Sequence, residues 1–128
     1  MDRDDSRARL GALAERPHVA VALTTMGEPG SAFRIPTPAA VIDLPAFDRN
    51  VARMAERART AGLALRPHAK CHKSAALVRR QLEAGAVGVC CAKLAEAEAL
   101  AVQGIGAILV TSPIAGEVNA RRAARLAA

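Results

Sequence analysis

Four short apolar runs, residues 39–42, 63–65, 86–91 and 107–110, recur along this 128-residue chain and alternate with stretches of helical periodicity. Successive runs lie about 20 residues apart, the spacing that a strand followed by a helix requires. None of them alternates apolar with polar residues, so each suits a strand buried on both faces in a parallel sheet. This repetition restricts the chain to an α/β architecture.

The intervening segments read as helices. The first opens at or near Pro45, a residue favoured at the first helical position, and sets Phe47, Val51, Met54 and Ala58 on one face at steps of four and three before Gly62 ends it. The second is expected over about residues 74–84, with Leu77, Val78, Gln81 and Leu82 clustering and Gly85 as its stop. The third is expected over about 94–103 before Gly104, and the fourth from Gly116 or Glu117 to Ala128. Four strand-helix units are half of an eight-stranded TIM-type (β/α)8 barrel, which takes about 250 residues. The fold expected is therefore the N-terminal portion of such a barrel, incomplete, with an unpaired sheet edge where a fifth strand would dock.

Residues 1–35 are expected to form an extension and linker ahead of a partial barrel domain over 36–128. They hold a short helical stretch (6–15), a brief β-prone run (19–23) and the turn-rich string Gly27, Glu28, Pro29, Gly30, Ser31. The chain is expected to be a fragment, a truncated gene product or half of a split protein.

The formal charge of +6 raises nucleic acid as a partner, but the arginines are dispersed among acidic residues on helix faces, as in Asp48, Arg49, Arg53, Glu56, Arg57 and Arg59. With two Phe and no Trp or Tyr there is no stacking platform either, so no nucleic-acid partner is expected. Cys71, Cys90 and Cys91 lack disulfide-framework spacing and read as free thiols of a reducing compartment. No signal-peptide core or membrane span is found, and a cytoplasmic location is expected.

The densest polar cluster directly follows the second run: Arg66, Pro67, His68, Ala69, Lys70, Cys71, His72, Lys73. Loops at the C-terminal ends of parallel strands hold the active sites of barrels and open α/β sheets, so the cluster lies where chemistry is expected. A lysine there can condense with an aldehyde if its amine is neutral, and burial together with repulsion from Arg66 and Lys73 would favour that form. Lys70 is the better candidate, since Lys73 falls at the start of the next helix. A wet, basic loop is the plain structural alternative.

His68 and His72 have the chemistry of acid, base or ligand groups, but with Cys71 they lack the paired spacing of a zinc site, so no metal site is expected from these residues. Cys90 and Cys91 point to opposite faces of the third run and read as small buried residues. Gly104 and Gly106 precede a strand instead of following one, so a dinucleotide fingerprint fails. Thr111, Ser112 and Pro113 follow the fourth run and either face the site or make a turn.

Three strings, Thr37-Pro38-Ala39-Ala40-Val41-Ile42-Asp43, Arg66-Pro67-His68-Ala69-Lys70-Cys71-His72-Lys73 and Gly85-Ala86-Val87-Gly88-Val89-Cys90-Cys91-Ala92-Lys93, resemble the D-threonine aldolase and D-serine dehydratase group. These are fold-type III pyridoxal-phosphate enzymes related to the N-terminal barrel of alanine racemase. The resemblance covers about residues 36–116 and implies that Lys70 is catalytic, forming the Schiff base to pyridoxal 5'-phosphate. It also implies that His68, His72 and Lys93 lie near the cofactor. Cys71 stands where relatives often have Thr, and Ala92 where many have Gln.

The reaction implied is retro-aldol cleavage of a D-3-hydroxyamino acid, D-threonine foremost, to glycine and an aldehyde, with the cofactor accepting electrons from the bond broken at the α-carbon. D-serine dehydratase, 3-hydroxy-D-aspartate aldolase, amino-acid racemase, a non-catalytic pyridoxal-phosphate-binding protein and a basic interaction module are the alternatives. The resemblance further implies a homodimer for the full-length enzyme and, in many relatives, a divalent metal (Mn, Mg or Zn) whose ligands lie beyond residue 128. The isolated chain is accordingly expected to be inactive or nearly so.

Overall fold

The computed structural model describes residues 29–127, so the helical stretch expected over 6–15 and the run over 19–23 lie outside the described residues. The chain divides into two units, residues Met1–Asp43 and Leu44–Ala128. The described part of the first begins with a turn at Pro29 and Gly30 that leads into a 3-10 turn, Ser31–Arg34. No strand forms over 39–42: the segment is exposed, with Val41 at 60% and Ile42 at 45%. An apolar run becomes a strand only by sharing a ladder with a neighbour.

The second unit holds helices α1 (Leu44–Thr60), α2 (Ala75–Glu83), α3 (Leu94–Val102) and α4 (Glu117–Ala127), with strands β1 (Val89–Cys91) and β2 (Ile108–Val110). A second 3-10 turn, Ala69–Cys71, lies between α1 and α2. The helices match the expected ones to within a residue or two, and Gly62, Gly85 and Gly104 follow the first three. Ser74 caps α2, its hydroxyl accepting from the Leu77 amide at 3.5 Å.

β1 and β2 pair in parallel, Val89 with Ile108, Cys90 with Leu109 and Cys91 with Val110. On the other side of β1 runs an irregular third member. Leu65 carbonyl accepts from the Val87 amide at 2.9 Å, Pro67 carbonyl accepts from the Cys90 amide at 2.7 Å, and His68 bridges to Cys90 in parallel. The second expected strand is thus displaced from 63–65 to 65–68. Pro67 explains its irregularity, because a residue without an amide hydrogen can accept from a ladder but cannot donate to it.

Val89 and Cys91 are fully buried, and with Val78 of α2, Ala97 and Leu100 of α3, Ala69, Ala75 and Ile105 they form the core. Leu82, Ile108, Val110 and Leu126 pack against it. Leu109, on the opposite face of β2, is 51% exposed, so the helices cover one face of the sheet. Ion pairs between Asp48 and Arg80 and between Glu98 and Arg122 join α1 to α2 and α3 to α4; being partly exposed, they orient the helices more than they stabilise them.

Two local features hold the sheet and α3 in place. The Ala107 carbonyl accepts from both the Val89 amide and the Arg66 guanidinium, which crosses above Gly88 to reach it. A Cβ at Gly88 would collide with both the carbonyl and the guanidinium. Ala107 is itself left-handed, with φ 50°, a conformation that costs a residue with a Cβ about 1–2 kcal/mol and that its two donors help to offset.

At the start of α3, Glu96 Oε2 accepts from the amides of Ala92 at 3.0 Å and Lys93 at 3.3 Å, while Oε1 lies 3.2 Å from Lys73 Nζ. Desolvation alone would raise this carboxyl, but the Lys73 hydrogen bond, the two amides and the Lys73 charge together outweigh it and hold the group below its ordinary value.

Gly104 has φ 79° with open space beside it, so Gly104→Ala is expected to cost only the backbone term, about 1 kcal/mol. Gly88→Ala is expected to cost about 3 kcal/mol, since backbone must move. Denaturant midpoints of the two variants test this, and equal losses would contradict the close approach at Gly88. Glu96, with its carboxyl depressed in the folded chain, contributes stability that is present above the ordinary carboxylate range and is lost as pH falls through the lowered value. Wild type is therefore expected to exceed Glu96→Gln in stability at neutral pH, with the gap closing in acid; a gap independent of pH would refute the assignment.

Candidate active site

Lys70 sits in the middle of the 3-10 turn at the carboxyl end of the 65–68 segment, beside the carboxyl ends of β1 and β2. The turn is closed by the Ala69 carbonyl, which accepts from the amides of His72 at 3.1 Å and Lys73 at 2.7 Å. Ala69 is buried in the core while Lys70 is exposed, so the turn is anchored by its first residue and presents its second. The burial expected around Lys70 is not found, and Lys73, one of the two cations expected to act on it, is committed to Glu96. The other, Arg66, is committed to the Ala107 carbonyl.

His68 caps the turn from its N-terminal side. Its Nδ1 accepts from the Lys70 backbone amide at 3.2 Å, and its Nε2 lies 3.3 Å from Thr111 Oγ1. Thr111, the first residue after β2, donates its hydroxyl to the Cys91 carbonyl at 3.2 Å, and its amide donates to the same oxygen at 2.9 Å. Partners in a parallel register point to the same side, so His68, Cys90 and Leu109 share the face of the sheet turned away from the helices. Thr111, two residues on from Leu109, falls on that face too. His68, Lys70 and Thr111 are thus brought together at one end of the sheet.

His72 is placed differently. Its Nδ1 accepts from the Ser74 amide at 3.1 Å, and its ring meets Phe47 of α1 edge-on with centroids 6.4 Å apart. Its Nε2 and the Oε1 of Gln81 on α2 are buried without a hydrogen-bond partner. Burial pulls the imidazole below its ordinary value, and the nearby Gln81 side chain opposes this. His72 therefore lies under the turn, in the helix layer. Lys93 is exposed at the start of α3, where with Ala69, Lys73 and Glu96 it lines a shallow cavity of about 310 Å³.

The three cysteines are free. Cys91 is in the core, where burial, then Glu96 and Cys90, push its thiol up, while Cys90 Sγ donates to the Arg66 carbonyl at 3.6 Å and Cys71 is exposed. Among the described residues no group of three or more His, Cys, Asp or Glu side chains is placed to hold a metal ion. Chemically, the arrangement offers an accessible primary amine on a fixed turn, which suits an aldehyde-bearing cofactor. Of the residues that build it, Thr111 reads equally as a plain turn residue, and Glu96, which accepts the Ala92 and Lys93 amides, carries only half of a capping-box signal because Lys93 stands where Ser or Thr would complete it.

Known proteins resemble this chain in sequence and in fold. The alanine racemase N-terminal domain family matches residues 42–127. The 3-hydroxy-D-aspartate aldolase of Paracoccus denitrificans is 42% identical over 93 residues, covering 72% of this chain and 24% of that protein. The crystal structure of a D-threonine aldolase from Filomicrobium marinum superposes with a TM-score of 0.70 at 44% identity, over 73% of this chain and 25% of that one. D-threo-3-hydroxyaspartate dehydratase from Delftia sp. HT23 superposes with a TM-score of 0.67 at 39% identity, over 72% and 24%. The chain spans about a quarter of the length of these relatives. Because residues 42–127 take in all four helices and both strands described above, the chain belongs to the alanine racemase N-terminal domain family, a family of enzymes.

Proposed function

We propose that Lys70 binds pyridoxal 5'-phosphate covalently through its ε-amine, and that the activity to which the chain contributes is cleavage of a D-3-hydroxyamino acid, with D-threonine aldolase as the leading reading. The observation that carries this is the exposed Lys70 amine on an anchored turn, at the carboxyl ends of three parallel segments. The aldolase names of the relatives support the reaction class. In this reading residues 36–128 form a partial barrel domain behind an extension over 1–35. The free cysteines are in keeping with a reducing, cytoplasmic setting.

When bound, pyridoxal phosphate supplies an electron sink for a bond breaking at the substrate's α-carbon. The chain's own residues do the rest of what is assigned here. Lys70 would hold the cofactor through its ε-amine, and when that amine is free it would take up or hand on a proton. His68 fixes the backbone from which Lys70 projects, and Cys91 and Ala69 tie that backbone to the core. Lys93 adds an exposed cation beside the turn. A dehydratase is the second reading, favoured by the likeness to the Delftia enzyme; among the described residues no helix is long and apolar enough to cross a membrane, and neither reading needs one.

Incubation with pyridoxal phosphate followed by borohydride reduction is expected to add a pyridoxyl group to the peptide containing Lys70. Lys70→Ala is expected to lose that mass increment. Labelling spread evenly over surface lysines, or persisting undiminished in Lys70→Ala, would refute the proposal.

A further inference from the structure

We infer that Thr111 is a positioning residue for Lys70, acting through His68: its hydroxyl accepts from the imidazole Nε2–H, and the tautomer it favours leaves Nδ1 free to hold the Lys70 amide. The inference rests on the cofactor reading for its functional meaning, but its structural content stands on three hydrogen bonds.

The donor and acceptor roles close on a single solution. Lys70 has an amide hydrogen to give, so the Nδ1 that it reaches at 3.2 Å must carry a lone pair. A neutral imidazole with a lone pair on Nδ1 carries its proton on Nε2. That proton points to Thr111 Oγ1 at 3.3 Å, and the hydroxyl can accept it because its own hydrogen is directed to the Cys91 carbonyl at 3.2 Å. The Cys91 carbonyl already receives the Thr111 amide, so the hydroxyl's hydrogen is fixed by a backbone oxygen that is itself part of the β1–β2 ladder.

The relay spans all three parallel segments. It starts on the turn after residues 65–68, crosses β1, and ends on the residue after β2, whose hydroxyl returns to Cys91 of β1. Deleting the hydroxyl removes one of the two groups that favour Nε2–H, the Lys70 amide being the other. The ring is then held less firmly in that form, and the alternative with its proton on Nδ1, which faces the Lys70 amide hydrogen and breaks the bond that shapes the turn, gains population. Serine retains the hydroxyl and so retains the selection, whereas valine keeps the shape of threonine without it.

The test uses the 128-residue chain and the nitrogen signals of its His68 ring. In wild type at neutral pH the ring is expected to be protonated on Nε2 and bare on Nδ1; the opposite tautomer, or a doubly protonated ring, would overturn the inference with no variant needed. Thr111→Val is expected to give a mixture of tautomers, with exchange of the Lys70 amide hydrogen about threefold to tenfold faster, the loss of one net hydrogen bond. Reductive labelling of Lys70 by pyridoxal phosphate is expected to slow by a similar factor, and Thr111→Ser to restore all three readouts. Ring signals and amide exchange unchanged in Thr111→Val would overturn the inference. If Lys70 takes no label in any form, the cofactor reading fails, and the ring and amide measurements still decide the role of Thr111.

Discussion

The presence of a neighbour on each side of β1 is the constraint on which the rest of this unit depends. The 65–68 segment accepts from the amides of Val87 and Cys90 on one side, and Ala107 and Thr111 complete the ladder on the other. With both flanks occupied, Val89 and Cys91 can be driven fully into the helix layer without leaving backbone groups bare. Their burial fixes the alternation of the strand. Cys90 must then face away, and so must His68 and Leu109 at the same level, with Thr111 one step further along. A slip of β1 by one residue would turn Cys90 into the core and Cys91 out of it. The position of the lysine turn is therefore a consequence of which strand residues are apolar.

Much of this was legible in the chain itself because helices carry their own punctuation. Pro45, Ser74, Gly85 and Gly104 mark ends through local backbone chemistry, and the structure places helix boundaries beside each of them. Strands were harder. An apolar run says that a segment is able to be buried, while pairing is decided by another part of the chain, so 39–42 read as a strand yet stands exposed, and 63–65 lost its place to 65–68. The second shift was foreseeable in principle, since Pro67 can accept but not donate.

The site divides along the same line. Lys70 was identifiable from a dense string of neighbouring residues. Its partner Thr111 lies 43 positions beyond His68, and nothing local distinguishes a threonine that receives an imidazole proton from one that merely begins a turn. His72 shows the reverse case: it adjoins the cluster in sequence, but its ring packs edge-on against Phe47 of α1 and lies near the Gln81 side chain of α2. Lys73 and Glu96 belong together for a third reason, the need of a helix start for an acceptor and of that carboxylate for a counter-charge.

The oxygen of Ala107 has a kinetic meaning as well. It receives one donor from the adjacent strand and another from Arg66, 41 residues earlier, so three stretches of chain converge on a single atom. Such a junction gives no reward until the intervening loops have closed, and loop closure is an entropic cost met before any long-range bond returns it. The helices can form early from their own sequence signals, but the junction can form only when the strands have been gathered. The sheet beside which Lys70 is presented thus depends on a contact that bridges 41 residues of chain.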